Sequence, residues 1–197
     1  REINATRLYN LRKREFSGSS YNKKELDDDL NLKLDYIVAP PRMSFYMEYS
    51  TRIYNVYLKY IAPEDIHVYS IDECFIDLTP YLDLYNKTAK EMVVLLMDAV
   101  FKETGICATA GIGTNMFLAK VALDVTAKHV DDHIGFLDSD EFKKTIWHHK
   151  PITDIWNIGR GIANRLQKYG VSDLYGVAHM DEKILYKEFG VNAEYLI

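Results

Sequence analysis

Cysteine is scarce in this 197-residue sequence, which contains only Cys74 and Cys107. So few thiols exclude the small domains that are held together by a disulfide framework. Each cysteine lies in an apolar run that is typical of a strand, which favours two buried free thiols over a disulfide. Neither has the neighbours that a metal site requires.

Long hydrophobic runs are also missing. No stretch approaches the roughly 18 apolar residues that a membrane-spanning helix needs, and the first four residues, Arg1 to Asn4, contain no apolar signal core. We therefore expect no membrane association and a cytoplasmic location. The hydrophobic content of 48% is enough to bury one good core and a small second one.

Positive charge is in deficit, because the formal net charge is −5. DNA-binding domains usually carry a positive field, so this balance argues mildly against a nucleic-acid partner. Two clusters of basic residues, called basic islands below, lie at 7–24 and 159–170 and weaken that argument. Each is either a nucleic-acid contact or an ordinary solvated face. Their cations are Arg7, Arg12, Lys13, Arg14, Lys23 and Lys24, and then Arg160, Arg165 and Lys168.

Apolar periodicity indicates an α+β fold between a poorly patterned start, residues 1–35, and an all-helical end, residues 149–197. The order of elements fits an antiparallel or mixed sheet with helices on one face, of the ferredoxin-like kind. The predicted elements are strand 34–38, helix 43–61, a hairpin of strands 66–71 and 74–79, helix 86–104, strand 106–112, a helix from 114, and strand 133–137.

Two adjacent carboxylates, Asp72 and Glu73, lie where the predicted hairpin turns. Neighbouring acids repel each other at neutral pH, and a bound divalent cation removes that repulsion. Mg²⁺ prefers a few carboxylates together with water and phosphates, so the pair suits a phosphoryl-transfer site. The two residues alone also fit an ordinary polar turn.

The surrounding motifs resemble those of Y-family DNA polymerases. Residues 70–79, SIDECFIDLT, resemble the signature hairpin of the family, with Cys74 where a small residue is usual. Residues 39–43 resemble the entry into the palm, 110–122 the glycine-rich strand and Ala-Lys helix, and 157–161 the hairpin of the thumb. These motifs occur in the family's order across roughly residues 36–175.

The resemblance implies a Mg²⁺-dependent DNA-directed DNA polymerase of the error-prone, lesion-bypass kind, acting on primer-template DNA and dNTP. Asp72 and Glu73 would be catalytic metal ligands, Ser70 would orient the hairpin, and Asp77 would be a structural acid. The implied domains are partial fingers at 1–35, a palm at 36–148 and a thumb at 149–197.

Lys128 is the residue that the resemblance assigns to the incoming triphosphate. In the family this lysine follows the Ala-Lys lysine by seven residues, whereas Lys120 and Lys128 are eight apart. A regular α-helix would turn the second lysine away by roughly 80°. We therefore expect a π-bulge or a helix that ends near 126–127; the alternative is a solvated lysine at a helix end.

The thumb motif implies DNA-phosphate contacts by Gly159, Arg160 and Gly161, supported by Arg165 and Lys168. A Gly-x-Gly turn leaves backbone N–H groups free for a phosphate, although it also fits a plain helix cap. Two adjacent histidines, at positions 148 and 149, precede this region and fit an exposed linker better than a metal site.

Other family features are not found: a further metal-binding Asp beside a bulky aromatic, a Tyr-x-x-Arg phosphate clamp and the little-finger domain. We therefore expect an internal fragment that is inactive alone and reaches any sliding clamp through other regions. The alternatives are a catalytically silent DNA-binding or regulatory fragment and a nucleotide cyclase with a palm fold, although a cyclase has no reason to carry a thumb.

Overall fold

The computed structural model describes residues 2–12 and 15–197. The chain forms two units, Arg1–Met43 and Ser44–Ile197. Lys13 and Arg14 of the first basic island lie outside the described residues.

The first unit consists of short helices and a pair of short strands. The guanidinium of Arg7 donates hydrogen bonds to the carbonyl oxygens of Leu26, Asp29 and Leu32 at 2.7, 3.1 and 3.1 Å. This cation of the first basic island is therefore engaged within its own unit. The elements are α1 (Glu2–Leu11), β1 (Gly18–Ser20), α2 (Lys23–Asp28) and β2 (Leu32–Leu34), and the strands pair in parallel.

The second unit opens with a helix, and the hairpin that follows it packs on a further long helix. The elements are α3 (Met43–Tyr57), β3 (Ile66–Val68), β4 (Cys74–Ile76), α4 (Thr79–Tyr85) and α5 (Ala89–Thr104). β3 and β4 are antiparallel with Ile66 opposite Ile76, so the two side chains share one face of the hairpin. That face packs with Met92 and Leu96 of α5 in a first hydrophobic core.

A second hydrophobic core follows in the chain. Its elements are β5 (Ala110–Gly113), α6 (Met116–Val121), β6 (Ile134–Leu137), α7 (Ser139–Thr145), α8 (Arg160–Gln167), α9 (Leu174–Ala178) and α10 (Glu182–Phe189). β5 and β6 pair in parallel. Leu118 and Leu137 are buried together with Leu166 and Leu185, so the segment after Pro151 shares a core with α6 and β6.

Glycines let the helix after β5 lie directly on the two strands. A Cβ built on Gly111 would come closer than 3.0 Å to the backbone of Ala119 and Leu123, and one on Gly135 would approach the backbone of Ala122 equally closely. Such approaches leave no room for a side chain.

The mixed helical and strand content is confirmed, but the single helix-covered sheet is not observed. In the part of the chain that the structure describes, the strands form three separate pairs. Alternation of apolar residues identifies a segment as a strand but does not specify its neighbour, and strands of three or four residues make few ladder hydrogen bonds.

Several predicted strands were also too long. Residues 34–38 are strand only to Leu34, and Ile37 is 97% exposed. The second hairpin strand ends at Ile76, because Thr79 begins α4 with a proline in its first turn, a favoured position for proline. Asn86, predicted to begin the next helix, instead ends α4 in the left-handed region with φ of 48°.

The expectation of two buried thiols holds only in part, because one cysteine is partly buried and the other is exposed. Cys74 packs against the first core, and burial raises the pKa of its thiol to about 11. Cys107 is exposed, because it lies in the irregular segment between Gly105, which ends α5, and the start of β5 at Ala110.

Within residues 2–12 and 15–197, no helix combines the length and the apolar character that crossing a bilayer requires.

Gly111→Ala is expected to destabilise the fold by about 3 kcal/mol, because the added methyl group overlaps the backbone of the neighbouring helix. Urea unfolding followed by circular dichroism measures the effect. The control is Gly161→Ala, where an added Cβ meets nothing within 4 Å, so that its stability should be unchanged or up to about 1 kcal/mol higher. Equal unfolding midpoints for the two variants would contradict this packing.

Candidate functional site

The hairpin turn presents the two adjacent acids. The N–H groups of Tyr69 and Ser70 both donate to the carbonyl oxygen of Glu73 at 3.0 Å and close the turn. Asp72 is exposed, and its carboxylate accepts a hydrogen bond from the Ser70 hydroxyl at 2.8 Å. The predicted location of Asp72 and Glu73 at a hairpin tip is confirmed, while their catalytic role stays a prediction.

Glu73 is held by a buried lysine. The ammonium of Lys120 on α6 donates to both carboxylate oxygens of Glu73 at 2.8 Å and to Asp124 at 3.2 Å. Lys120 is only 7% exposed. Burial alone lowers the pKa of its ammonium, but the hydrogen bonds and charges of Glu73 and Asp124 outweigh burial and raise the pKa overall.

The sequence interpretation did not include Lys120 or Asp124 among the site residues. Their spacing of four along a helix is a recognisable ion-pair signal. Lys120 also lies between the buried residues Leu118 and Val121. A lysine on an apolar helix face needs a carboxylate partner, but nothing in the sequence identified that partner as Glu73, 47 residues away.

The helix widens between the two lysines, as predicted. After α6 it continues as a π-helix over Ala122–Thr126 and ends in a 3₁₀ turn, Ala127–His129. The Lys128 ammonium lies 3.6 Å from the carboxylate of Asp124, and its side chain is 59% exposed. Despite the extra residue, Lys120 and Lys128 therefore both contact the carboxylate of Asp124. Together with Glu73 on the other side of Lys120, they form a row of alternating negative and positive charges.

The predicted phosphate turn is open to solvent. Asn157 adopts a left-handed conformation with φ of 67°, and Gly159 caps the N-terminus of α8. A Cβ added to Gly159 or Gly161 would meet nothing within 4 Å. No internal packing therefore requires these glycines, and both residues are exposed.

The cations near this turn divide into two kinds. Arg160 and Lys168 are exposed. The Arg165 guanidinium instead donates to the carbonyl oxygens of Gly161 and Glu188 at 3.3 and 2.7 Å, and it lies 4.5 Å from the ring centre of Phe189. Arg165 thus ties α8 to α10, a structural use that the charge pattern did not indicate.

The adjacent histidines each contact a carboxylate, which their sequence spacing did not suggest. His148 lies 3.1 Å from Asp173 and His149 lies 2.9 Å from Asp154. Hydrogen bonds from the Gly176 N–H and from His148 lower the pKa of Asp173. Across the described ranges 2–12 and 15–197, no group of three His, Cys, Asp or Glu side chains is placed to hold a metal ion.

Comparison with known proteins supports the predicted resemblance. Residues 22–124 match the model of the impB/mucB/samB family. The chain is 31% identical over 160 residues to DNA polymerase IV 2 of Bacillus subtilis, and the aligned part covers 81% of this chain and 38% of that protein. It is also 31% identical over 153 residues to DNA polymerase IV of Clostridium acetobutylicum, covering 78% of this chain and 37% of that protein. The chain thus spans less than half of each relative.

Solved structures share the fold. The insertion ternary complex of Dbh DNA polymerase matches with a TM-score of 0.69 and 27% identity, over 81% of this chain and 45% of that chain. DinB from Sulfolobus solfataricus matches in fold with a TM-score of 0.67 and 21% identity, over 99% of this chain and 62% of that chain.

Lys120→Met is expected to lower the free energy of unfolding by about 2–3 kcal/mol, because Glu73 and Asp124 would lose the buried cation that both of them contact. Urea unfolding at pH 7 measures the loss. The control is Lys90→Met, which breaks the ion pair between Lys90 and Asp132. These side chains are 62% and 45% exposed, so the variant should lose less than about 1 kcal/mol of stability. Equal losses would show that Lys120 is no more than a surface charge.

Proposed function

The chain belongs to the impB/mucB/samB family, and on that premise we propose that it forms the catalytic hairpin and the thumb of a DNA-directed DNA polymerase of the Y family. The observation that carries the proposal is the hairpin whose tip presents Asp72 and Glu73. It lies inside the stretch that matches the family model, residues 22–124.

The proposed reaction is nucleotidyl transfer. The 3′-hydroxyl of a primer gives up its proton to solvent, and its oxygen bonds to the α-phosphorus of a dNTP. The bond between that phosphorus and the bridging oxygen of pyrophosphate breaks, and pyrophosphate leaves. Such displacements need little covalent chemistry from the protein. The side chains of this chain would therefore contribute position and charge.

Asp72 and Glu73 are the residues that would hold Mg²⁺. In such sites Mg²⁺ takes one or two carboxylates and completes its shell with water and substrate phosphates, so this oxygen-donor pair fits the protein's share. When bound, Mg²⁺ would make the attacking hydroxyl more acidic and neutralise charge on the reacting oxygens. The Asp72 carboxylate is already exposed, whereas Glu73 would share its oxygens with Lys120.

DNA and nucleotide would be held by residues outside the hairpin. The open turn at 159–161 suits a backbone phosphate of primer-template DNA, with Arg160 and Lys168 adding attraction that does not depend on sequence. Lys128 suits the triphosphate of a dNTP, because a mobile ammonium serves as a point donor to phosphate oxygens.

The resemblance extends the proposal to error-prone synthesis across damaged templates. The test is primer extension by the full-length gene product with Mg²⁺ on an intact template and on one with an abasic site. Extension on both supports lesion bypass, extension on the intact template alone supports only the polymerase, and extension on neither refutes the proposal.

One observation favours a second candidate, a catalytically silent DNA-binding protein of the same fold. Both carboxylate oxygens of Glu73 already accept hydrogen bonds from Lys120, which is the arrangement of an internal structural ion pair. Binding of primer-template DNA without any extension would support this candidate.

Asp72→Asn in the full-length gene product is expected to slow nucleotide incorporation by about 100-fold or more while leaving DNA affinity nearly unchanged, because metal ligation acts mainly on the transition state. Single-turnover extension and DNA titration separate the two effects. The matched control is Asp77→Asn, since the Asp77 carboxylate accepts the Thr79 N–H at 2.9 Å and should affect stability more than rate. Equal losses of affinity and rate in Asp72→Asn would indicate misfolding instead.

Gly161→Ala is expected to weaken binding of primer-template DNA by about tenfold without loss of stability, since its methyl group would occupy the approach of a phosphate. Lys168→Ala should reduce the slope of log Kd against log salt by about 0.9. Fluorescence anisotropy over a salt series measures both effects, with Lys102→Ala on α5 as the control. Unchanged Kd for Gly161→Ala would remove the turn from the DNA interface.

Lys128→Ala is expected to raise the KM for dNTP by about tenfold or more, because a charge-assisted contact to the triphosphate is lost. Steady-state extension at varied dNTP measures KM and kcat. Lys144→Ala, whose side chain is 76% exposed on α7, is the control. If neither constant changes in Lys128→Ala, the lysine has no triphosphate role.

A further inference from the structure

The β3–β4 hairpin has a second face that carries aromatic side chains. His67 and Phe75 are paired across the strands, and their ring centres lie 6.3 Å apart. Tyr69 follows β3, and its ring centre lies 5.8 Å from that of Phe75 in an edge-on arrangement. Because side chains alternate along a strand, this face points away from the first core, into which Ile66 packs.

Trp156 meets this aromatic face from the second core. Its indole N–H donates to the Tyr69 hydroxyl oxygen at 3.1 Å. Its ring centre lies 5.7 Å from that of Tyr69 and 5.9 Å from that of Phe75. The neighbours Ile155 and Ile158 are buried in the second core, so the backbone of Trp156 is anchored in one core and its ring contacts a hairpin that packs on the other.

The aromatic cluster of Tyr69, Phe75 and Trp156 lies between two parts of the proposed site. Tyr69 donates its N–H to the carbonyl of Glu73 at 3.0 Å and so helps to close the turn that presents the carboxylates. Trp156 is three residues before Gly159, the N-cap of α8. A change in the packing of Trp156 therefore reaches both the carboxylate tip and the open turn.

We propose that Trp156 is a positioning residue that sets where the 159–161 turn stands relative to Asp72 and Glu73. DNA held by a backbone phosphate at the turn would then place its reacting end at the carboxylates. The proposal rests on the proposed polymerase function. It depends on two restraints of different kinds. The ring contacts with Tyr69 and Phe75 fix distance, and the hydrogen bond to Tyr69 fixes the orientation of the indole.

The expected consequence is a loss of rate without a loss of affinity. A displacement of about 1 Å at a reacting centre can lower a rate by about 100-fold. Trp156→Ala in the full-length gene product should therefore lower kcat for primer extension by about 10- to 100-fold. The Kd for primer-template DNA should stay within about threefold of wild type, because Ile155 and Ile158 still anchor the turn.

Conservative variants separate positioning from general stability. Trp156→Phe keeps a ring but loses the hydrogen bond, and Tyr69→Phe loses the same bond from the other side. Each should lower kcat less than Trp156→Ala does, and the double variant should be no worse than the more affected single variant, since both remove one interaction. The control is Trp147→Ala. The ring of Trp147 packs on Tyr175, so this variant should keep the wild-type kcat.

A readout independent of turnover uses the fluorescence of Trp156. These 197 residues contain two tryptophans, so Trp147→Phe, together with Phe in place of any tryptophan elsewhere in the full-length gene product, leaves Trp156 as the single indole. Its acrylamide quenching should not increase when primer-template DNA binds, because a positioning contact must persist in the complex. Increased quenching would overturn the proposal.

The activity results complete the test. A wild-type kcat in Trp156→Ala, or equal losses of kcat and affinity, would also overturn the positioning role. Failure of the wild-type protein to extend any primer would refute the polymerase function itself, and the quenching result would still decide whether the aromatic contact persists on DNA.

Discussion

The ion pair between Lys120 and Glu73 is the interaction on which the candidate site depends. Lys120 is only 7% exposed, and a buried lysine is tolerated only when carboxylates satisfy its ammonium. Glu73 supplies both of its oxygens, and Asp124 supplies a further acceptor. The hairpin tip is thereby joined to α6, so the orientation of Glu73 is set before any substrate is present.

Two polar connections join the hairpin to the second core. At its tip, Glu73 binds Lys120 of α6; on its aromatic face, Tyr69 accepts the indole N–H of Trp156. Apolar packing is non-directional, whereas hydrogen bonds and ring contacts restrict angle as well as distance. Two such attachments at separate points on one hairpin restrict its rotation, which neither does alone. The precise placement of the carboxylates therefore comes from a few specific bonds rather than from burial.

The sequence predicted local features well and long-range partners poorly. Helical periodicity identified α3 and α5, and the motif identified the acidic hairpin tip. The lysine spacing predicted either a π-bulge or an early helix end, and the structure shows the π-helix. Strand lengths were overestimated because alternation continues past the point where Pro80 allows a helix to begin. The partners of Lys120 and Arg165 were missed, since a charge pattern does not show which distant carboxylate or carbonyl will be its neighbour. The burial of Cys107 was wrong because an apolar run does not show whether another element covers it.

The π-helix at Ala122–Thr126 also bears on how this chain should be aligned with proteins in which the second lysine follows the first by seven residues rather than eight. A π-turn accommodates one inserted residue by widening the helix locally, so positions before and after it keep their faces. A gap placed anywhere else in the segment would pair residues that point in different directions. An alignment of this helix should therefore open its gap within Ala122–Thr126, where the backbone itself carries the insertion.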